Sequence, residues 1–302
     1  MSEKTDAVKE AVAQKIIASM ENAKYGKDSW QKPWSGGTIA ENAKTGRRYS
    51  GGNLIALWLF GEDYGSGYWA TYKQWAELDA QVRKGEKGIR LVKWSIIECR
   101  DHGSDEMCDR CGRGYSSAFT VFNAEQVDGW ENPDKRVNPE GPIAHAEKFL
   151  HSVGAEVRHA DEGRAYYTPS RDRITLPRFE MFHSAEAYYA TFAHELVHWT
   201  GHESRLARKM SARWIDEVFG DNSYAAEELV AELGAAMLCA ILGISDEPRE
   251  DHAKYLTAWI DHLKNDYRLL WDAASKASRA VDYIEAMASA STAEKVGAME
   301  GR

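Results

Sequence analysis

The chain has 302 residues, 43% hydrophobic and 28% charged, with four cysteines; this length admits two ordinary domains, and this balance excludes a disordered or fibrous chain. The net charge of −9 is uneven, because residues 1–130 carry 18 acids against 18 bases and the remainder 29 against 20. That excludes a protein that binds polyanions over its whole surface, yet leaves room for a local phosphate-binding patch in the first part.

In chain order, the opening "MSEKTDAVKEAVAQKIIASM" carries acids and lacks an apolar h-region, so it does not read as an export signal. Val8, Val12, Ile16 and Met20 recur every fourth residue, the spacing of an amphipathic helix. The longest apolar run, Leu54–Phe60, is far too short to span a bilayer. Few cysteines and no export signal give no disulfide framework, so a cytoplasmic protein with no membrane partner is expected.

Seven of the eleven tryptophans fall within the first 130 residues, interleaved with "TGRRYSGGN", "GYWATYKQW" and "QVRKGEKGIRLVKW". Flat side chains stack on unpaired bases while arginine and lysine meet phosphates, so these stretches suit single-stranded nucleic acid. The candidate contacts are Arg47, Arg48, Tyr49, Asn53, Trp69, Tyr72, Lys73, Arg83, Lys84 and Lys87. The plainer alternative is that most of the rings form a small β-rich core and the bases merely solubilise turns.

"GIRLVKWSII" and "SAFTVFNAEQV" read as strands. Between them Cys99, His102, Cys108 and Cys111 have the spacing of a small zinc knuckle, or equally of free thiols on a hairpin tip. "DGWENPDKRVNPEGP" holds three of the seven prolines and marks a joint, giving domains 1–132 and 133–302. Beyond it helical patterns dominate, over 143–153, 185–201, 224–242 and 251–287, and the tail from Ser289 should fray. One extended segment, "DRITLP" (Asp172–Pro177), serves either as an edge strand that a peptide could extend or as a plain sheet strand. The expected fold class is α+β, a small β-rich aromatic N-terminal domain followed by a mainly helical one.

Within "YYATFAHELVHWTGHESRL" the spacing turns from structure to chemistry. Positions four apart on a helix lie about 40° from one another, so His194 and His198 can converge on one ion. Glu195, beside the first of them, is placed to take a proton from water that the cation has acidified. Zn2+ suits these donors, and Mn2+ is the alternative. A third ligand is needed. A metzincin would have histidine at 204, where this chain has Ser204, and His202 follows Gly201, the expected helix end. The segment "YAAEELVAELGAAMLCAILG" is apolar nearly all round, so it should be buried with Glu228 and Glu232 on one face. A buried carboxylate is costly unless paired or bound to metal. Glu228 is therefore assigned as third ligand and Glu232 as acceptor for a ligand histidine, with exchanged roles still open. Glu227, nearer the helix end, reads as solvated. Tyr224, Tyr188 and His202 are candidates to stabilise an oxyanion.

Taken together, "TGRRYSGGN", "YWATYKQW", "VRKGEKG", "FTVFNAEQVDG", "YYATFAHELVHWTGHESRL" and "YAAEELVAELGAAML" resemble the ArdC-type antirestriction proteins of conjugative plasmids, in the same order along nearly the whole chain. The resemblance implies a front domain that binds single-stranded DNA and a zincin-like metallopeptidase domain behind it. It implies His194, His198 and Glu228 as metal ligands and Glu195 as base. It further implies that the protein shields incoming plasmid DNA from the recipient's restriction enzymes, with a protein of the recipient cell as possible substrate. The front domain is similar, too, to the first part of some plasmid-borne primases. The alternative function is coating of single strands without proteolysis, the metal being structural or vestigial. A metal-dependent nuclease fits less well, because phosphodiester hydrolysis usually recruits paired metals bridged by carboxylates.

Overall fold

The computed structural model describes residues 3–25, 39–96, 114–131, 141–208, 223–244 and 253–300. The cysteine-bearing hairpin with Cys99, His102, Cys108 and Cys111 lies outside the described residues, as does most of the proline-rich joint.

The four-residue recurrence of the opening segment becomes helix α1 (Glu3–Tyr25), with Val8, Val12, Ile16 and Met20 all buried. Its acids Glu3 and Asp6 occupy the first turn, where the helix dipole favours negative charge. The apolar run noted above forms helix α2 (Gly51–Phe60), buried from Leu54 to Leu59. Both helices lie against a four-stranded sheet of order β1-β2-β5-β4. Strand β1 (Glu41–Asn42) runs parallel to β2 (Tyr68–Ala70), and β5 (Gly114–Asn123) is antiparallel to both β2 and β4 (Ile89–Ile96). The two runs expected as strands thus pair with each other, from Ile89 opposite Val121 to Ile96 opposite Gly114. A short helix α3 (Tyr72–Ala76), started by a capping box between Thr71 and Gln74, leads to a ribbon of β3 (Gln81–Val82) and β6 (Val127–Asp128). Trp75, Ala80, Val82 and Val127 close a small satellite core under that ribbon.

The second part is α+β as well, with helices dominant. Helix α4 (Pro142–Ser152) precedes a three-stranded sheet of β7 (Glu156–Ala160), β8 (Tyr166–Thr168) and β9 (Arg173–Pro177). The order is β7-β9-β8, so β9 sits in the centre, parallel to β7 and antiparallel to β8. "DRITLP" is accordingly no edge strand. Ile174, Thr175 and Leu176 are all buried, the profile of a strand covered on both faces.

Helix α5 (Ala185–Thr200) begins where the Ser184 hydroxyl accepts a hydrogen bond from the Ala187 amide, and packs on β8, β9 and helix α6 (Ser223–Leu242). The long helical pattern over 251–287 is two helices, α7 (Ala253–Asn265) and α8 (Arg268–Glu300). Asp266 divides them: its amide closes on His262 while its carboxylate accepts from the Arg268 amide, starting a new helix. Periodicity alone runs through such a break. The tail expected to fray from Ser289 continues α8 to Glu300.

The two parts do not keep separate cores. Side chains of α1, α2, β4 and β5 join those of α5, α6, α7 and α8 in one contiguous apolar cluster. Polar contacts cross the same boundary: Trp271 donates to the Lys9 carbonyl, the Ser278 hydroxyl accepts from the Gly51 amide, and Arg48 pairs with Glu285 at 2.6 Å. No helix among the described residues is long and apolar enough to cross a membrane.

Candidate metal centre

Helices α5 and α6 press closely together, and Gly234 is one reason: a Cβ there would lie 2.7 Å from Val197. The consequence is that His194 and His198 on one helix face Glu227, Glu228 and Glu232 on the other. His194, Glu195 and Glu228 are 2–5% exposed, and Glu232 is fully buried.

The ring nitrogens divide their tasks. The two Nε2 atoms lie 3.1 Å apart. Glu228 reaches both, with one oxygen 3.5 Å from Nε2 of His194 and the other 3.3 Å from Nε2 of His198. A tetrahedral ion with bonds of about 2.0–2.1 Å keeps its donor atoms about 3.3 Å apart, so this triangle fits such a cation. These are also the residues whose potential ligand atoms all fall within 4.8 Å of one another. Two imidazoles and a carboxylate suit Zn2+ or Mn2+.

The other ring nitrogens point at carboxylates. Nδ1 of His194 lies 3.0 Å from Glu232, and Nδ1 of His198 lies 3.5 Å from Glu227. With the proton on Nδ1, facing a carboxylate, the Nε2 lone pair is left for the cation. Glu227 differs from expectation. It is not a solvated residue near the helix end but sits between His198 and Arg208, whose guanidinium is 2.7 Å from its nearer oxygen. Sequence reasoning missed it because the helix register was used to group Glu228 with Glu232 and stopped there.

The charges are arranged to favour a cation. Burial alone would lower the basicity of His198, but Glu227 and Glu228 outweigh it and hold the imidazole up at about 10. Burial would raise both carboxylates in turn; the imidazoles hold Glu228 down, and His198 with Arg208 holds Glu227 down. The same carboxylates that favour a charged imidazole also favour a divalent cation between the rings. Glu195 adds a smaller share to the field at His198.

A second brace holds the end of α5. Arg205 stacks 3.9 Å from the Trp199 ring, donates to the Trp199 carbonyl and to Tyr167, and grips both oxygens of Asp172 between β8 and β9. The Arg205 hydrogen bonds hold the Asp172 carboxyl down at about 2. The oxyanion candidates are placed less favourably. Tyr188 engages His159 at 2.9 Å inside an aromatic cluster, and His202 bonds Ser204. The side chain of Tyr224 is outside the described set.

The front residues divide into two groups. Trp69 is buried at 3% exposure, edge-on to Tyr64, so it offers no ring face to a base. Tyr49 is half-buried, its hydroxyl accepting from Asn42 and donating to the Trp69 carbonyl. Asn53 clamps the amide and carbonyl of Val92, fixing α2 to β4. Arg48 is paired with Glu285, and Arg83 with Glu86 and nearby carbonyls. Arg47, Tyr72, Lys73, Lys84 and Lys87 are exposed, with the Tyr72 hydroxyl steadied by Gln81.

Comparison with known proteins bears on both parts. Residues 144–276 match the family model described as a zincin-like metallopeptidase, and residues 6–122 match the N-terminal domain of anti-restriction factor ArdC. The chain is 40% identical over 292 residues to the uncharacterized protein y4eC of Sinorhizobium fredii, covering 93% of this chain and 92% of the relative. It is 38% identical over 302 residues to DNA primase TraC of Escherichia coli, covering 94% of this chain but 27% of that protein. Among solved structures, the metal-free antirestriction ArdC protein from the R388 plasmid is similar at a TM-score of 0.73 and 39% identity, over 93% of this chain and 97% of that one. The Mn(II)-bound structure is similar at 0.71 and 40% identity, with the same coverage.

Proposed function

The chain belongs to the ArdC family of antirestriction proteins, and on that premise we propose that it binds single-stranded DNA through its first part, 1–132, and hydrolyses peptide bonds at the centre in its second, 133–302. Its role would be to protect incoming DNA from restriction in the recipient cell. The observation that carries the enzymatic reading is the triangle of His194, His198 and Glu228, with Glu195 buried beside it.

His194 and His198 would hold Zn2+ or Mn2+ through Nε2, and Glu228 through a carboxylate oxygen. When bound, the ion would polarise a peptide carbonyl and acidify water. Glu195 would take the proton of the attacking water and return it to the departing amine. Glu232 would keep His194 oriented by accepting its Nδ1–H. On the front part, the Tyr72 ring offers a stacking face at 53% exposure, while Arg47, Lys73, Lys84 and Lys87 supply charge for phosphates.

The test combines metal analysis with proteolysis of recipient-cell proteins, with and without single-stranded DNA, for wild type and Glu195→Gln. The expected result is metal in both proteins and cleavage by wild type alone. Equal behaviour of the two on every substrate would overturn the peptidase reading.

A second reading is favoured by the primase relatives, in which nearly the whole of this chain recurs inside proteins named for work on DNA. The protein would then coat single strands, with the metal in a supporting role. That reading expects Glu195→Gln to keep full antirestriction and Tyr72→Ala with Lys84→Ala to lose it.

A further inference from the structure

Arg208 makes four polar contacts and is almost wholly enclosed, its side chain 7% exposed. Its Nη2 donates to the Val197 carbonyl at 2.5 Å and to Glu227 at 2.7 Å, Nη1 donates to the Thr200 hydroxyl at 2.6 Å, and Nε reaches the second Glu227 oxygen at 3.3 Å. One guanidinium therefore holds the last turn of α5 and, in a fork, a carboxylate from the start of α6. That carboxylate is the one facing Nδ1 of His198.

The approach depends on the residue that ends α5. Gly201 has a right-handed conformation that any residue could adopt, so no backbone constraint calls for glycine there. Glycine leaves room for the approach, since a Cβ at 201 would lie 3.0 Å from the His198 carbonyl and 3.1 Å from the Arg208 guanidinium.

The two imidazoles are supported unequally. Glu232, facing His194, is fully buried on a helix packed on its neighbours. Glu227 lies one turn nearer the helix start, opposite a loop. A carboxylate there is free to rotate towards solvent or towards the cation itself unless something fixes it. A forked arginine contact fixes both oxygens at once, whereas lysine offers only a point charge.

We propose that Arg208 is a positioning residue for the metal centre: acting through Glu227, it orients His198 so that Nε2 faces the cation and keeps Glu227 out of the ligand set. The inference rests on the metal-centre reading, because it concerns how one ligand of that centre is aimed.

The test uses the full chain and Co2+, whose ligand-field spectrum reports coordination. Wild type, Arg208→Gln, Arg208→Lys, Glu227→Gln and the Arg208→Gln/Glu227→Gln pair are titrated, with thermal unfolding of the metal-free proteins recorded alongside. Arg208→Gln and Glu227→Gln are each expected to weaken Co2+ binding by about 10–100-fold and to change the visible spectrum. Arg208→Lys should recover only part of the loss. The double variant should be no worse than Glu227→Gln, since both act on one contact chain.

Unchanged affinity and spectrum in Glu227→Gln, or additive losses in the double variant, would overturn the proposal. If Arg208→Gln does not fold, Glu227→Gln and Arg208→Lys still decide it. His198→Ala separates the two claims. Loss of Co2+ binding there, with no effect of Glu227→Gln, would sink the positioning role and leave the metal centre standing. Wild-type binding that His198→Ala leaves intact would sink both.

Discussion

The two parts of this protein use chemistry-bearing side chains in opposite ways. In the second part, five ionisable residues on two helices are drawn into a largely buried seam, where each has a definite partner within about 3.5 Å. In the first part, ten aromatic, polar and basic candidates scatter: Trp69, Tyr49 and Asn53 build the scaffold, Arg48 and Arg83 pair internally, and five remain on the surface. Burial is costly for charge, so a buried charged cluster must be organised around something. Exposed bases and rings carry no such obligation. The same residue types are thus strong indicators in one setting and weak ones in the other.

The sharpest way to break that contrast is at the buried end. Glu195→Gln should keep its metal while peptide hydrolysis falls by about 10²–10⁴-fold, measured as turnover beside metal content. A variant that loses metal as well would show Glu195 to be part of the ligand scaffold. Next in size, Trp69→Ala should cost about 3–5 kcal/mol of stability, as large core truncations do, read by denaturant unfolding. Were Trp69 a stacking platform instead, DNA affinity would fall with stability unchanged.

Tyr72→Ala should do the reverse, leaving unfolding alone and weakening single-strand binding by about 1–3 kcal/mol. Lys84→Ala and Lys87→Ala should each lower the slope of log affinity against log salt by about 0.7, provided those ammonium groups meet phosphates. Slopes equal to wild type would remove them from the interface.

The smallest effect concerns the brace at the end of α5. The Asp172 carboxyl titrates at about 2 in the folded protein against 3.8 ordinarily, so its contribution is present above the ordinary value and lost as pH falls through about 2. Asp172→Asn should therefore cost about 1 kcal/mol at neutral pH, after allowance for the exposure of that carboxylate, and nothing well below the folded value. Unfolding curves of wild type and variant across that range check it. A constant difference would place the effect in packing rather than charge.

How far sequence reasoning reached follows from the same contrast. The approach of His198 to His194 was legible because a helix fixes the geometry of residues four apart, and that of Glu228 because an acid amid apolar neighbours has few explanations. The strands β4 and β5 were legible from alternation and their β-branched residues. Arg208 was not, for it sits on an irregular segment with no periodicity to place it, and the Glu227 contact spans 19 residues. The break at Asp266 escaped because apolar spacing continues across it. Arg48 could not be matched in advance with Glu285, 237 positions away.

The apolar seam that α1 and α2 share with α7 and α8 carries a consequence for dissection. Cutting at 132/133 would leave Ile16, Met20, Leu57 and Leu59 on one fragment, and Leu270, Ala274 and Ile284 on the other, facing water. Each fragment would tend to clump rather than behave as an independent module. The shared core makes the span one cooperative unit, inherited or lost whole.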